Sequence, residues 1–119
     1  MAATRTIDDV VAAVSRAYTA AGGTTVECEL SEAAGIDVPG QAVLAMELGV
    51  VECVMGDDGP LDAVGRAVSR MAALGWAVTV VVPSGRLGEA HRDLRGRPGV
   101  VQGFWREGDD VQFGRHEVL

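Results

Sequence analysis

Lysine is absent from this chain: all ten basic residues are arginine, and seventeen acids leave a net charge of −7. A protein that grips nucleic acid by neutralising phosphates carries a basic surface. Tight, sequence-independent DNA binding is therefore disfavoured. A lysine-poor compositional background accounts for the absence more readily than selection at one site does, and the second cannot be separated from the first. Cysteine is scarce as well. Cys28 and Cys53 each end a "VEC" tripeptide, and without a secretion signal such residues read as reduced, buried, small apolar groups. His91 and His116 lie far from both cysteines in sequence, so no metal-ligand spacing is present. Long apolar runs are missing too. None approaches the roughly 20 residues that span a bilayer, and "MAATRTIDDV" has no apolar h-region. The expectation is a cytoplasmic protein with no membrane partner. Aromatic residues make up 4% of the chain. Trp76 and Trp105 have no basic groove beside them in sequence, so they read as core or interface residues, not as a base-stacking platform.

What is present suffices for one core. With 119 residues, 12.3 kDa and 48% hydrophobic residues, a single domain over 1–119 is expected to fold without staples. Residues 7–21 carry a helical period through Ile7, Val10, Val11, Val14, Tyr18 and Ala21, with Thr6 as N-cap, Asp9 three residues on, and Gly22 and Gly23 as the stop. "TTVECEL" (24–30) alternates as a half-buried strand, with Val26, Cys28 and Leu30 on one face. "SEAAGIDVPGQ" has turn formers and no sustained period. "AVLAMEL" (42–48) and "VVECVM" (50–55) read as a hairpin about Gly49. Asp58 and Pro60 open a helix over 60–74, whose inward stripe is Leu61, Val64, Val68 and Met71. "AVTVVV" (77–82) is apolar on both faces, as a central strand requires. Pro83 closes it, Ser84 is placed to cap, and "RLGEAHRDLR" forms a short helix with Leu87, Ala90 and Leu94 inward. "VVQGFW" and "VQFGRHEV" then flank "REGDD" as a terminal hairpin. The order is helix, three strands, helix, strand, helix, hairpin. It implies a single-domain α/β/α sandwich around a mixed five-stranded sheet.

This order resembles the restriction-endonuclease-like fold of the PD-(D/E)xK nuclease superfamily over most of the chain. The resemblance implies an acid near the second strand and an acid-x-lysine on the third, together holding Mg²⁺ while the lysine positions the attacking water. Such a site needs clustered carboxylates, because Mg²⁺ takes hard oxygen ligands and activates water against a phosphodiester. Carried onto this chain, Asp37 is the first acid, Glu52 the second, and Val54 stands where the lysine belongs. With no lysine anywhere, the role falls to Arg70 or Arg66 on the following helix, or is lost. Arginine clamps phosphate but is a permanent cation and a poor proton partner.

Each of these residues also has a plain structural reading: Glu52 as a strand acid, Asp37 as a turn residue before Pro39, and Asp57 and Asp58 as helix caps. Ser84 and Arg86, in "PSGRLG", sit where a strand meets a helix N-terminus and are the candidate phosphate or anion contacts. Arg86, Arg92, Arg95 and Arg97 are close enough in sequence for a local basic patch. His91 reads as a packing residue. Three functions follow. The first is a nuclease-fold protein without catalysis, a binding or regulatory subunit in nucleic-acid metabolism or defence that works through a protein partner. The second is a degenerate Mg²⁺-dependent nuclease using Asp37, Glu52, Arg70 and possibly Glu29. The third is an α/β module, unrelated to nucleic acid, that self-associates as a homodimer through an open sheet edge. A metal cofactor belongs to the second alone.

Overall fold

The structure, a computed structural model, describes residues 7–119. The Thr6 cap lies outside the described residues. Helix α1 (Asp8–Ala20) leads into β1 (Thr25–Glu29), a short α2 (Leu30–Ala34), and the hairpin of β2 (Gln41–Ala45) and β3 (Val50–Val54). Helix α3 (Asp62–Ala73) crosses to β4 (Ala77–Pro83). A single 3₁₀ turn (Ser84–Arg86) and α4 (Leu87–Asp93) cross to β5 (Val100–Glu107), and β6 (Asp110–Val118) folds back on it. All strands join one sheet in sequential order β1 to β6. The β3–β4 and β4–β5 pairs are parallel and the others antiparallel.

Three expectations are corrected. The sheet has six strands rather than five, because β5 pairs along β4 and β6 along β5, so that both strands of the terminal hairpin extend the ladder. The strand expected to reach Leu30 stops at Glu29, and Leu30 instead opens α2, where it is fully buried with Ala34. The expected side-chain caps at Asp58 and Ser84 are not formed. Leu61 and Arg86 stand at those N-cap positions, without side-chain cap bonds.

Strand alternation divides the core in two. On β3, Val51 and Cys53 face the layer of α2, α3 and α4, where Leu61, Val64, Val68, Met71, Ala90 and Leu94 are buried. Val54 faces the opposite layer, where α1 sets Val10, Val11 and Val14 against Val43, Val81 and Phe104. Each valine so buried contributes about 1.5 kcal/mol. Both crossover helices therefore lie on one side, and among the described elements α1 alone covers the other. The chain turns between β2 and β3 at Gly49, whose φ of +66° is open to glycine and strained for a side chain. Gly103 allows a close approach at the β5 bulge: a β-carbon there would come within 3.0 Å of Leu87 Cδ1 and 3.3 Å of Ser84 Cα.

Polar contacts fasten α1 at both ends. Ser15 and Thr25 hydroxyls lie 2.6 Å apart. Arg106 on β5 donates to both oxygens of Asp9, at 2.8 and 2.9 Å, with its guanidinium 5.5 Å from the Phe104 ring centre. The hydrogen bonds from Arg106 hold the Asp9 carboxyl below its ordinary 3.8. A depressed carboxylate pKa stabilises the fold above the unfolded value and loses that contribution as pH falls through the folded one. Asp9→Asn is therefore expected to lower stability at neutral pH by no more than about 1 kcal/mol, since the aspartate is half-exposed. The difference should vanish in acid, with faster amide exchange along α1 at neutral pH as the local readout.

Candidate functional site

Glu52 sits in the middle of β3, paired with Val43 on one side and Thr79 on the other, on the face that α1 covers. Only 5% of it is exposed. Central strands of a sheet covered on both faces present no side to water, so the one acid of "VVECVM" is buried with its valines. Its Oε2 has no hydrogen-bond partner among the described residues. Desolvation raises its pKa above the ordinary 4.5, while the Thr79 and Tyr18 hydroxyls and the His116 ring oppose the shift. Tyr18 answers in kind. Burial first, and then the charge of Glu52, push its phenol up to about 12.

A cavity of about 190 Å³ opens over this carboxylate, lined by Val14, Ala17 and Tyr18 of α1, Glu52, Gln102 of β5, and Phe113 and His116 of β6. The Gln102 side-chain amide donates to Gly114 O at 2.8 Å, which fixes its orientation. A larger cleft of about 470 Å³, reaching Trp76, Pro98 and Val100, shares Tyr18 and His116 with it.

The other candidates lie elsewhere. Asp37 is exposed in the loop before β2, flanked by Ile36 and Val38, which pack into the α2–α3 layer. Arg70 lies on α3, near enough to α2 that a β-carbon at Gly35 would be 3.7 Å from its Nε. Glu52 faces the opposite side of the sheet, so Asp37, Glu52 and Arg70 do not converge. Val54, at the lysine position, is fully buried beneath α1. No described set of three or more His, Cys, Asp or Glu residues is placed to hold a metal ion.

Arg86, the anion candidate, is engaged within the fold. It donates to Glu89 and to the carbonyls of Gly56 at 3.0 Å and Gly59 at 2.7 Å, and so pins the loop after β3. Ser84 remains exposed beside it. Arg92 pairs with Asp93 at 2.9 Å and Arg97 donates to Ser69 at 3.0 Å, so Arg86, Arg92 and Arg97 are divided among separate partners. His91 bonds Glu117 at 2.8 Å and joins α4 to β6. Both cysteines are free thiols, and burial pushes the Cys53 pKa up, which keeps it protonated. No helix among the described residues is long and apolar enough to cross a membrane.

No protein-family model, curated protein or solved structure matches this chain. What the site can do rests on its own chemistry. Glu52 was legible as a candidate, but Tyr18, Thr79, Gln102, Phe113 and His116 were not, because they converge from α1, β4, β5 and β6. The available signal was the apolar bracketing of Glu52 on a central strand.

Since folding raises the Glu52 pKa, its contribution to stability is fully present below the unfolded value near 4.5 and is lost as pH rises through the folded value. Thermal melts across pH are expected to show this decline in the wild type. Glu52→Gln should remove it and be the more stable protein at neutral pH.

Proposed function

We propose that this chain is a non-catalytic binding protein on a restriction-endonuclease-like arrangement. A helix, a three-stranded antiparallel meander, a crossover helix and a parallel fourth strand support that relation. The observation that carries the reading is Val54. At 0% exposure, among Val10, Val14, Val43, Val81 and Phe104, it occupies the place of the motif lysine as a core residue. The carboxylate two residues before it faces a hydroxyl, a phenol and an imidazole, not a second carboxylate that would complete a Mg²⁺ site. By the same resemblance its setting is nucleic-acid metabolism or defence, as a binding or regulatory subunit. A net charge of −7 favours a protein partner there over phosphates.

A second reading is self-association through the terminal hairpin. β6 runs for nine residues with its outer edge unpaired by any described strand, and Val118 near its end is 80% exposed. It is compatible with the first, since a homodimer can also be a binding subunit.

Calorimetric titration with Mg²⁺ and Mn²⁺, alongside a plasmid-cleavage assay, tests the first reading. It expects no saturable metal binding and no cleavage by the wild type. Saturable binding that disappears in Glu52→Gln, with metal-dependent cleavage, would overturn it. Val54→Lys rebuilds the acid-x-lysine spacing and is expected to lower stability by about 3 kcal/mol, by burying a cation under α1, without conferring cleavage.

A further inference from the structure

A carboxylate oxygen that is buried and without a donor is a demand for a ligand as much as a defect of packing. Glu52 Oε2 is such an oxygen, on a side chain 95% buried that lines an open cavity of about 190 Å³. The polar groups around it narrow the chemistry. The Thr79 and Tyr18 hydroxyls lie near enough to Glu52 to oppose the rise of its pKa. The Gln102 amide nitrogen is taken by Gly114 O, and its amide oxygen has no partner among the described residues. At Glu52 and Gln102 the cavity therefore offers acceptors and asks for donors.

Anions are repelled by the carboxylate. Mg²⁺ and Ca²⁺ require more oxygen ligands than this wall supplies. A guanidinium forks onto both oxygens of a carboxylate, whereas the unpartnered atom here is a single oxygen. An ammonium, a compact point charge with three donors, fits that demand. The remaining walls are Val14, Ala17 and the Phe113 ring, which are apolar, and the His116 imidazole, which also acts on Glu52. Size sets the rest, since an apolar cavity of roughly 150 Å³ holds one benzene ring.

We propose that this cavity binds a small primary amine, with its ammonium group on the Glu52 carboxylate and a short apolar or aromatic body against Val14, Ala17 and Phe113. This rests on the reading of the chain as a binding protein, and it names the ligand class of the Glu52 site. The adjoining cleft, which shares Tyr18 and His116, gives room for a ligand longer than the cavity itself.

The test titrates the full chain at neutral pH with benzylamine and with its neutral analogue benzyl alcohol, by calorimetry and by amide NMR. Benzylamine is expected to bind saturably and to shift resonances of Tyr18, Gln102, Phe113 and His116. Binding should weaken on the order of tenfold or more with benzyl alcohol, and equally in Glu52→Gln. Circular dichroism confirms the fold of the variant. Ala17→Leu, which fills the cavity from an exposed position on α1 and leaves the carboxylate intact, should weaken binding independently. Equal affinity for the two probes, binding unchanged in Glu52→Gln, or no binding of benzylamine each overturns the proposal. Any of these results with a flat metal titration removes the amine site alone. Saturable Mn²⁺ binding lost in Glu52→Gln would instead remove the non-catalytic reading beneath it.

Discussion

The packing of α1 across one face of the sheet governs the rest of this molecule. Val10, Val11 and Val14 close over Val43, Val54, Val81 and Phe104, and the Asp9–Arg106 pair fastens the helix to β5. That contact has three consequences. It takes Glu52 out of water, it leaves no room for a cation at position 54, and it builds the roof of the cavity from Val14, Ala17 and Tyr18. Hydrophobic burial is non-directional, so a helix laid over a strand buries whatever side chain the alternation places beneath it. Here the alternation places one acid there.

A buried carboxylate without a cation opposes folding. Its persistence within a valine-rich face has two physical accounts. One is that it is held neutral, its proton retained by desolvation. The other is that its charge is satisfied by something the cavity admits. The two are linked, since a cationic ligand stabilises the ionised form and removes a proton from the balance. A metal-dependent nuclease would need something different again: two acids on one face and a cation that reaches the water between them. Asp37 and Arg70 belong instead to the α2–α3 side of the sheet.

The elements were legible where period and punctuation agreed. The stripe Leu61, Val64, Val68 and Met71 gave α3 because four apolar residues at helical spacing end at a glycine stop. "AVTVVV" read as a central strand because only a strand covered on both faces is apolar throughout. The short α2 was not legible, since five residues complete little more than one turn and show no period. Nor was the environment of Glu52. Alternation along "VVECVM" puts Glu52 and Val54 on one face, but nothing local says that a helix from the start of the chain will cover it. The partners of Glu52 come from Tyr18, Thr79 and His116, and only the tertiary fold brings those together. The sixth strand follows the same rule: the terminal hairpin is local, whereas its union with β4 is not.

The central claim is that Glu52 is a desolvated carboxylate beneath α1 whose Oε2 has no hydrogen-bond partner among the described residues. Its titration, followed through the side-chain carboxyl ¹³C resonance in the presence and absence of Mg²⁺, tests this most directly. The account predicts a midpoint above the ordinary 4.5 that Mg²⁺ does not move. A midpoint at or below that value, or one that falls when Mg²⁺ is added, would contradict it and restore a metal site to β3.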